Sequence, residues 1–228
     1  LDFGKDNYAL VSWYNAPDNR RTALGWMSNW QYAADVPTMQ FRSANTLPRD
    51  LSLFTDTEGM VRVASAPAPE VEALRGSLVK KSGSASISKK GRTYALPADN
   101  DGICEICLSL DSPSTNVDIT LSNPQGEKVV LTYNATDRTL SFDRTQSGRT
   151  DFSLDFPAVT VAPTFESNGK VSLRMFIDRS SIEVFANGGR SCMTNLVFPS
   201  QPYTSLRLAT AKGSARLNSL EIYNINAE

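Results

Sequence analysis

Short runs of alternating apolar and polar residues, cut by turn residues, constrain this chain more than any other feature. In VSLRMFI, residues 171–177, the side chains of Val171, Leu173, Met175 and Ile177 fall on one face of a strand. SIEVFA (181–186) alternates in the same way, and Asp178, Arg179 and Ser180 make the turn between the two runs. Asn187-Gly188-Gly189 signals another turn, followed by a strand reaching Phe198. NYALVSWY (7–14) and TALGWMS (22–28) flank the turn-rich NAPDNRR. Asn123-Pro124-Gln125-Gly126 separates two further alternating runs. The stretch LRLATAKGSARLNSLEIYNI reads as a hairpin around Lys212-Gly213. This spacing predicts an all-β protein built as an antiparallel sandwich or barrel, not a parallel α/β sheet.

One segment breaks the style. ASAPAPEVEALRG, residues 64–76, carries two prolines before a helix-like PEVEALR. Pro69 suits a first helical turn and Gly76 suits its end. The division expected is 1–64, a linker at 65–76, and 77–228. The last part matches one β-sandwich in size. The first holds two to four strands and is too small to bury a core of its own. It should belong to a larger sheet system or pack on the second part.

Several function classes are excluded by composition. The chain of 228 residues has no histidine, so Ser-His-Asp and Cys-His mechanisms and His-ligated metals are ruled out. A net charge of −1 gives no footprint for nucleic acid. No apolar run is long enough for membrane insertion, and the opening LDFGKDNYAL has no signal-peptide pattern. Cys104 and Cys107 match C-x-x-C, but GICEICLSL reads as a strand that sends them to opposite faces. A redox pair wants a helix N-terminus instead, so small buried residues are the expected role. No metal or organic cofactor is implied.

Without histidine, chemistry would rest on paired carboxylates, as in glycoside hydrolysis. Asp2, Asp6 and Asp35 lie nearest a tryptophan cluster, and each equally suits a turn or cap. Asp178 with Arg179 fits a tight-turn ion pair, and Glu183 fits a polar network in the same hairpin. The cluster is LGWMSNW, residues 24–30, which holds two of the three tryptophans. Trp26 and Trp30 point the same way on a strand or on a helix. Core packing and a platform for a polar ligand are both open. Flat Trp faces stack on sugar rings while Asn, Asp and Arg bind hydroxyls, which makes carbohydrate the best small ligand.

DFGKDNYA (2–9), LGWMSNWQYAADVPT (24–38) and FRSANTLPRDL (41–51) together resemble glycoside hydrolase family 32, the β-fructosidases. LSFDRTQSG (140–148), RMFIDRSSIEVFANGGRSCMT (174–194) and VFP (197–199) extend the resemblance along most of the chain. It implies strands of the last β-propeller blade in residues 1–64, followed by a C-terminal antiparallel β-sandwich. It implies a fructan- or sucrose-type carbohydrate as partner. It also implies a propeller part upstream, and self-association through the apolar surface left where that part is missing. Fructans are extracellular polymers, so a secreted, cell-surface or periplasmic location is expected.

The family's W-M-N-D-P-N-G, R-D-P and E-C motifs, which carry its nucleophile, stabiliser and acid/base, are not found. Cys104 follows Ile103, Cys107 follows Ile106, and Arg49-Asp50 is followed by Leu51. No catalytic residue is therefore assigned here; the pair is expected upstream. The resemblance implies that Trp26 lines the fructose pocket. Asn29 and Trp30 line or back it, and Asp6 either aims into it or pins its strand. Arg42 and Arg49 read as ion-pair partners. A stand-alone carbohydrate-binding module and a structural or dimerisation domain are the competing readings.

Overall fold

In the computed structural model, residues 1–111, 113–166 and 169–226 are described. The first sheet contains β1 (Tyr8–Ser12), β2 (Thr22–Met27), β3 (Ala44–Asn45), β4 (Arg49–Thr55) and β5 (Val61–Pro67). Its order is β1-β2-β4-β5, with β3 paired to β2. Strand β5 runs through Pro67, inside the stretch read as linker. A 3-10 turn at Pro69–Leu74 then leads straight into the next strand.

The strands that follow are β6 (Arg75–Ser82), β7 (Ala85–Ser88), β8 (Arg92–Ala95), β9 (Cys104–Asp111), β10 (Val117–Ser122) and β11 (Lys128–Asn134). Then come β12 (Thr139–Gln146), β13 (Val159–Pro163), β14 (Lys170–Ile177), β15 (Ser181–Ala186), β16 (Ser191–Leu196), β17 (Ser205–Thr210) and β18 (Ser214–Ile225). They form two antiparallel sheets, β13-β12-β11-β10-β17-β8 and β16-β15-β14-β9-β18-β6, with β7 added on β18. One apolar core lies between them, including Leu131, Phe142, Val171, Met175, Val184 and Leu208.

Alternation explains most of this. Along β10 and β11 every second residue is buried and those between are half-exposed, as expected of a sheet with one face on the core and one towards water. Strands β15 and β16 depart from it, because every residue in them is buried. Ile182, Val184 and Ala186 face the sandwich core. The opposite face packs Phe185 and Cys192 with Val71 and Phe176. The first sheet and the N-terminal segment cover that second face.

Two expectations need correction. Residues 205–225 are not a hairpin: β17 pairs with β10 and β8, while β18 pairs with β9, β6 and β7 in the other sheet. The turn at Lys212-Gly213 is a corner between sheets, since periodicity marks a strand without choosing its partner. Asp178 and Arg179 are not an ion pair. Asp178 accepts the Arg179 backbone N–H, and the Arg179 guanidinium bonds Asp101 at 2.8 Å. Among the described residues no helix is long and apolar enough to cross a membrane.

Candidate functional site

Strand register builds an aromatic row on the first sheet. Tyr8 lies opposite Trp26, and Trp26 lies opposite Asn45, so the three side chains share a face. On β2, Ala23, Gly25 and Met27 are buried while Thr22, Leu24 and Trp26 are half-exposed. The Tyr8 and Trp26 rings meet edge-on at 6.1 Å. Trp30 arrives from beyond the strand end and lies 4.9 Å from Trp26 between centroids, tilted by 49°. Tyr8 is 54% exposed and Trp30 73%. Such an open, tilted aromatic surface can stack on the apolar face of a sugar ring.

A turn fixes where Trp30 stands. Asn29 Oδ1 accepts the Gln31 N–H at 3.0 Å, and the Asn29 carbonyl accepts the Tyr32 N–H at 3.1 Å. The Asn29 amide donates to the Lys5 carbonyl at 2.9 Å. Asn29 is therefore committed to the backbone on both sides, though half-exposed.

Asp6 does not line an open pocket. Its side chain is fully buried and holds Arg144 at 2.6 Å, with neither residue exposed. The same carboxylate accepts the Tyr32 hydroxyl at 2.5 Å and the Leu196 N–H at 2.8 Å. Arg144 also donates to the carbonyls of Phe156 and Leu196 and to the Tyr32 oxygen. Its guanidinium lies 3.9 Å over the Phe156 ring. Burial and the adjacent Asp6 charge push the Tyr32 phenol well above its ordinary range.

A second buried network joins the first sheet to the sandwich. Arg49 bridges Asp2 at 2.7 Å and Glu183 at 2.6 Å, and Glu183 accepts the Leu47 N–H at 2.8 Å. Burial raises the Asp2 carboxyl, but Arg49 and Thr194 outweigh it and hold it below the ordinary 3.8. Full burial pushes the Glu183 carboxyl up against the pull of Arg49. Arg42 donates to the Val36 carbonyl and, among the described residues, has no carboxylate partner.

Asp35 and Asp178 lie exposed at turns. Asp2, Asp6 and Glu183 are buried and neutralised by arginine. The carboxylates singled out from the sequence thus form no open acid–base pair. Burial pushes the thiols of Cys104 and Cys107 up to about 12, so neither is a ready nucleophile. Among the described residues no three potential ligands gather for a metal.

Comparison with known proteins identifies the family. The description "Glycosyl hydrolases family 32 C terminal" matches residues 70–224, and "Glycosyl hydrolases family 32 N-terminal domain" matches 1–64. The chain belongs to glycoside hydrolase family 32. Within the family, it is 40% identical over 228 residues to a levanase of Bacillus subtilis (strain 168), across 97% of this chain and 33% of the relative. It is 29% identical over 230 residues to the extracellular exo-inulinase inuE of Aspergillus niger, across 100% of this chain and 43% of that protein. The crystal structure of exo-inulinase from Aspergillus awamori superposes with a TM-score of 0.89 at 29% identity, covering 99% of this chain and 44% of that one. The chain thus spans a third to under half the length of these family 32 relatives. The all-β expectation of a sheet followed by a sandwich agrees with that superposition.

Sequence reasoning singled out Trp26, Trp30, Asn29 and Asp6, and the fold brings them close together. It missed Tyr8, Asn45, Lys5, Tyr32 and Arg144. For Arg144 a signal existed. Leu140, Phe142 and Arg144 share one parity along β12 and are all buried, so alternation placed a charge on the core face.

Proposed function

We propose that this chain is the C-terminal part of a β-fructoside hydrolase that cleaves fructans or sucrose-type sugars with retention. The levanase and exo-inulinase relatives, each more than twice as long, support this reading. Residues 1–64 serve as strands of a terminal propeller blade, 65–76 as the linker and 77–228 as the sandwich. The catalytic carboxylates lie outside this chain, because retaining hydrolysis needs two carboxyl groups facing the sugar about 5–5.5 Å apart. Export from the cell fits a polymeric substrate and the extracellular relative.

The observation that carries the reading is the aromatic row of exposed Tyr8 and Trp30 with half-exposed Trp26 between them. Trp26 forms the wall of the fructose pocket, and Trp30 packs beside it. The 228-residue chain alone is expected to release no fructose from levan, inulin or sucrose on long incubation. Release from material free of any upstream part would overturn the assignment. In the whole hydrolase, Trp26→Ala should reduce turnover far more than Trp30→Phe, and equal small effects would remove Trp26 from the pocket.

A further inference from the structure

We propose that Arg144, a sandwich residue, is the positioning residue for the Trp26–Trp30 pair. This rests on the reading of that pair as the sugar-facing surface. Among the described residues the Trp30 ring meets one other ring, that of Trp26, and it is 73% exposed. Packing alone cannot hold a ring so open, so its place is set by the backbone on either side. Those two sides end at one dipeptide. The Asn29 amide donates to the Lys5 carbonyl, and the Tyr32 hydroxyl donates to Asp6.

The Lys5–Asp6 dipeptide is in turn held by the sandwich. Lys5 N–H donates to Asn195 Oδ1 at 3.2 Å, and its ammonium donates to the Asp155 carbonyl at 2.9 Å. Asp6 N–H donates to the Thr194 carbonyl at 3.0 Å. Arg144 is the hub, because among the described residues it is the sandwich side chain that hydrogen-bonds both anchors, Asp6 at 2.6 Å and the Tyr32 oxygen at 2.8 Å. Two further donors reach the Phe156 and Leu196 carbonyls, so the guanidinium is fixed by the sandwich on the far side. A planar fork with fixed donor directions transmits orientation as well as charge, which an ammonium cannot. The sandwich therefore sets the angle and spacing of the aromatic surface through one side chain.

The test uses the 228-residue chain, which holds only three tryptophans. Two indoles 4.9 Å apart should give a far-ultraviolet exciton couplet in circular dichroism. Trp30→Phe should abolish it. Arg144→Met should reduce it by more than half, and Arg144→Lys should fail to restore it. Tyr32→Phe keeps the ring packed on Phe152 and Phe156 but removes the hydroxyl, so it should weaken the couplet even if Arg144→Met does not fold. A wild-type couplet in folded Arg144→Met or Tyr32→Phe overturns the proposal, as does a couplet that survives Trp30→Phe. In the whole hydrolase, Tyr32→Phe should raise KM for levan roughly tenfold while kcat changes little. A lost couplet with unchanged KM would uphold the positioning role and remove the pair from substrate binding.

Discussion

Arg49 shows how a single residue can tie two parts of a chain together and make the tie sensitive to pH. Its guanidinium has no exposure and faces two carboxylates from opposite ends of the sequence, Asp2 and Glu183. Breaking a buried pair from one side leaves an uncompensated charge and costs about 3–5 kcal/mol. Asp2 is depressed below its ordinary 3.8. Its contribution is therefore present above that value and is lost as pH falls through the lower folded-state value. Glu183 is raised, so its sign is opposite: ionising it in the fold opposes folding. Asp2→Asn should lower the neutral-pH stability by about 3–5 kcal/mol. It should also flatten the fall below about pH 4 relative to the parent, as read by urea denaturation across pH. An equally steep acid limb in the variant would assign the acid sensitivity elsewhere.

At the scale of elements, close backbone approach decides where the first sheet sits. A Cβ on Gly4 would lie 2.1 Å from the Thr194 carbonyl oxygen, and one on Gly189 would lie 2.4 Å from the Ser65 oxygen. Both are backbone atoms of the opposite part, so nothing flexible can yield. Gly126 differs: its φ is +83°, yet a Cβ there meets nothing. Gly4→Ala should cost about 3 kcal/mol through forced separation, and Gly126→Ala only about 1 kcal/mol of turn strain. Thermal unfolding of the two variants checks the order, and a reversed order would count against steric docking. Alternation made most strands legible beforehand, since β10, β11 and β14 bury every second residue along most of their length. It could not pair β17 with β10, because that partner lies some ninety residues away. Spacing put Trp26 and Trp30 on one face of a single strand or helix, whereas the two rings meet across the end of β2, because the chain turns at Asn29. The anchoring of Asp6 by Arg144 was not, because the two are 138 residues apart and meet only once sheet and sandwich dock.

On the whole-molecule scale, apolar exposure is unevenly shared. Val11 is 65% exposed, Leu53 72%, Val61 65% and Trp30 73%, all on the first sheet or its loops. Leu53 and Val63 are cross-strand partners, so their exposure is contiguous. A surface of this kind associates in water. The 228-residue chain should sediment as species larger than a monomer at rising concentration, and Leu53→Lys should shift the distribution back. A single unassociated species in both would leave that surface without a partner preference. The placement of β18 has a consequence for synthesis. That strand, Ser214–Ile225, lies inside its sheet between β9 and β6 and also pairs β7. A ribosome that has delivered everything through β17 has therefore delivered a sheet with a gap in its middle, and β6, some 140 residues old, still waits for its neighbour. The sandwich closes after translation passes residue 225. Until then the sheet that carries Glu183 and Thr194, the sandwich partners of Arg49, ends in an open edge at β9.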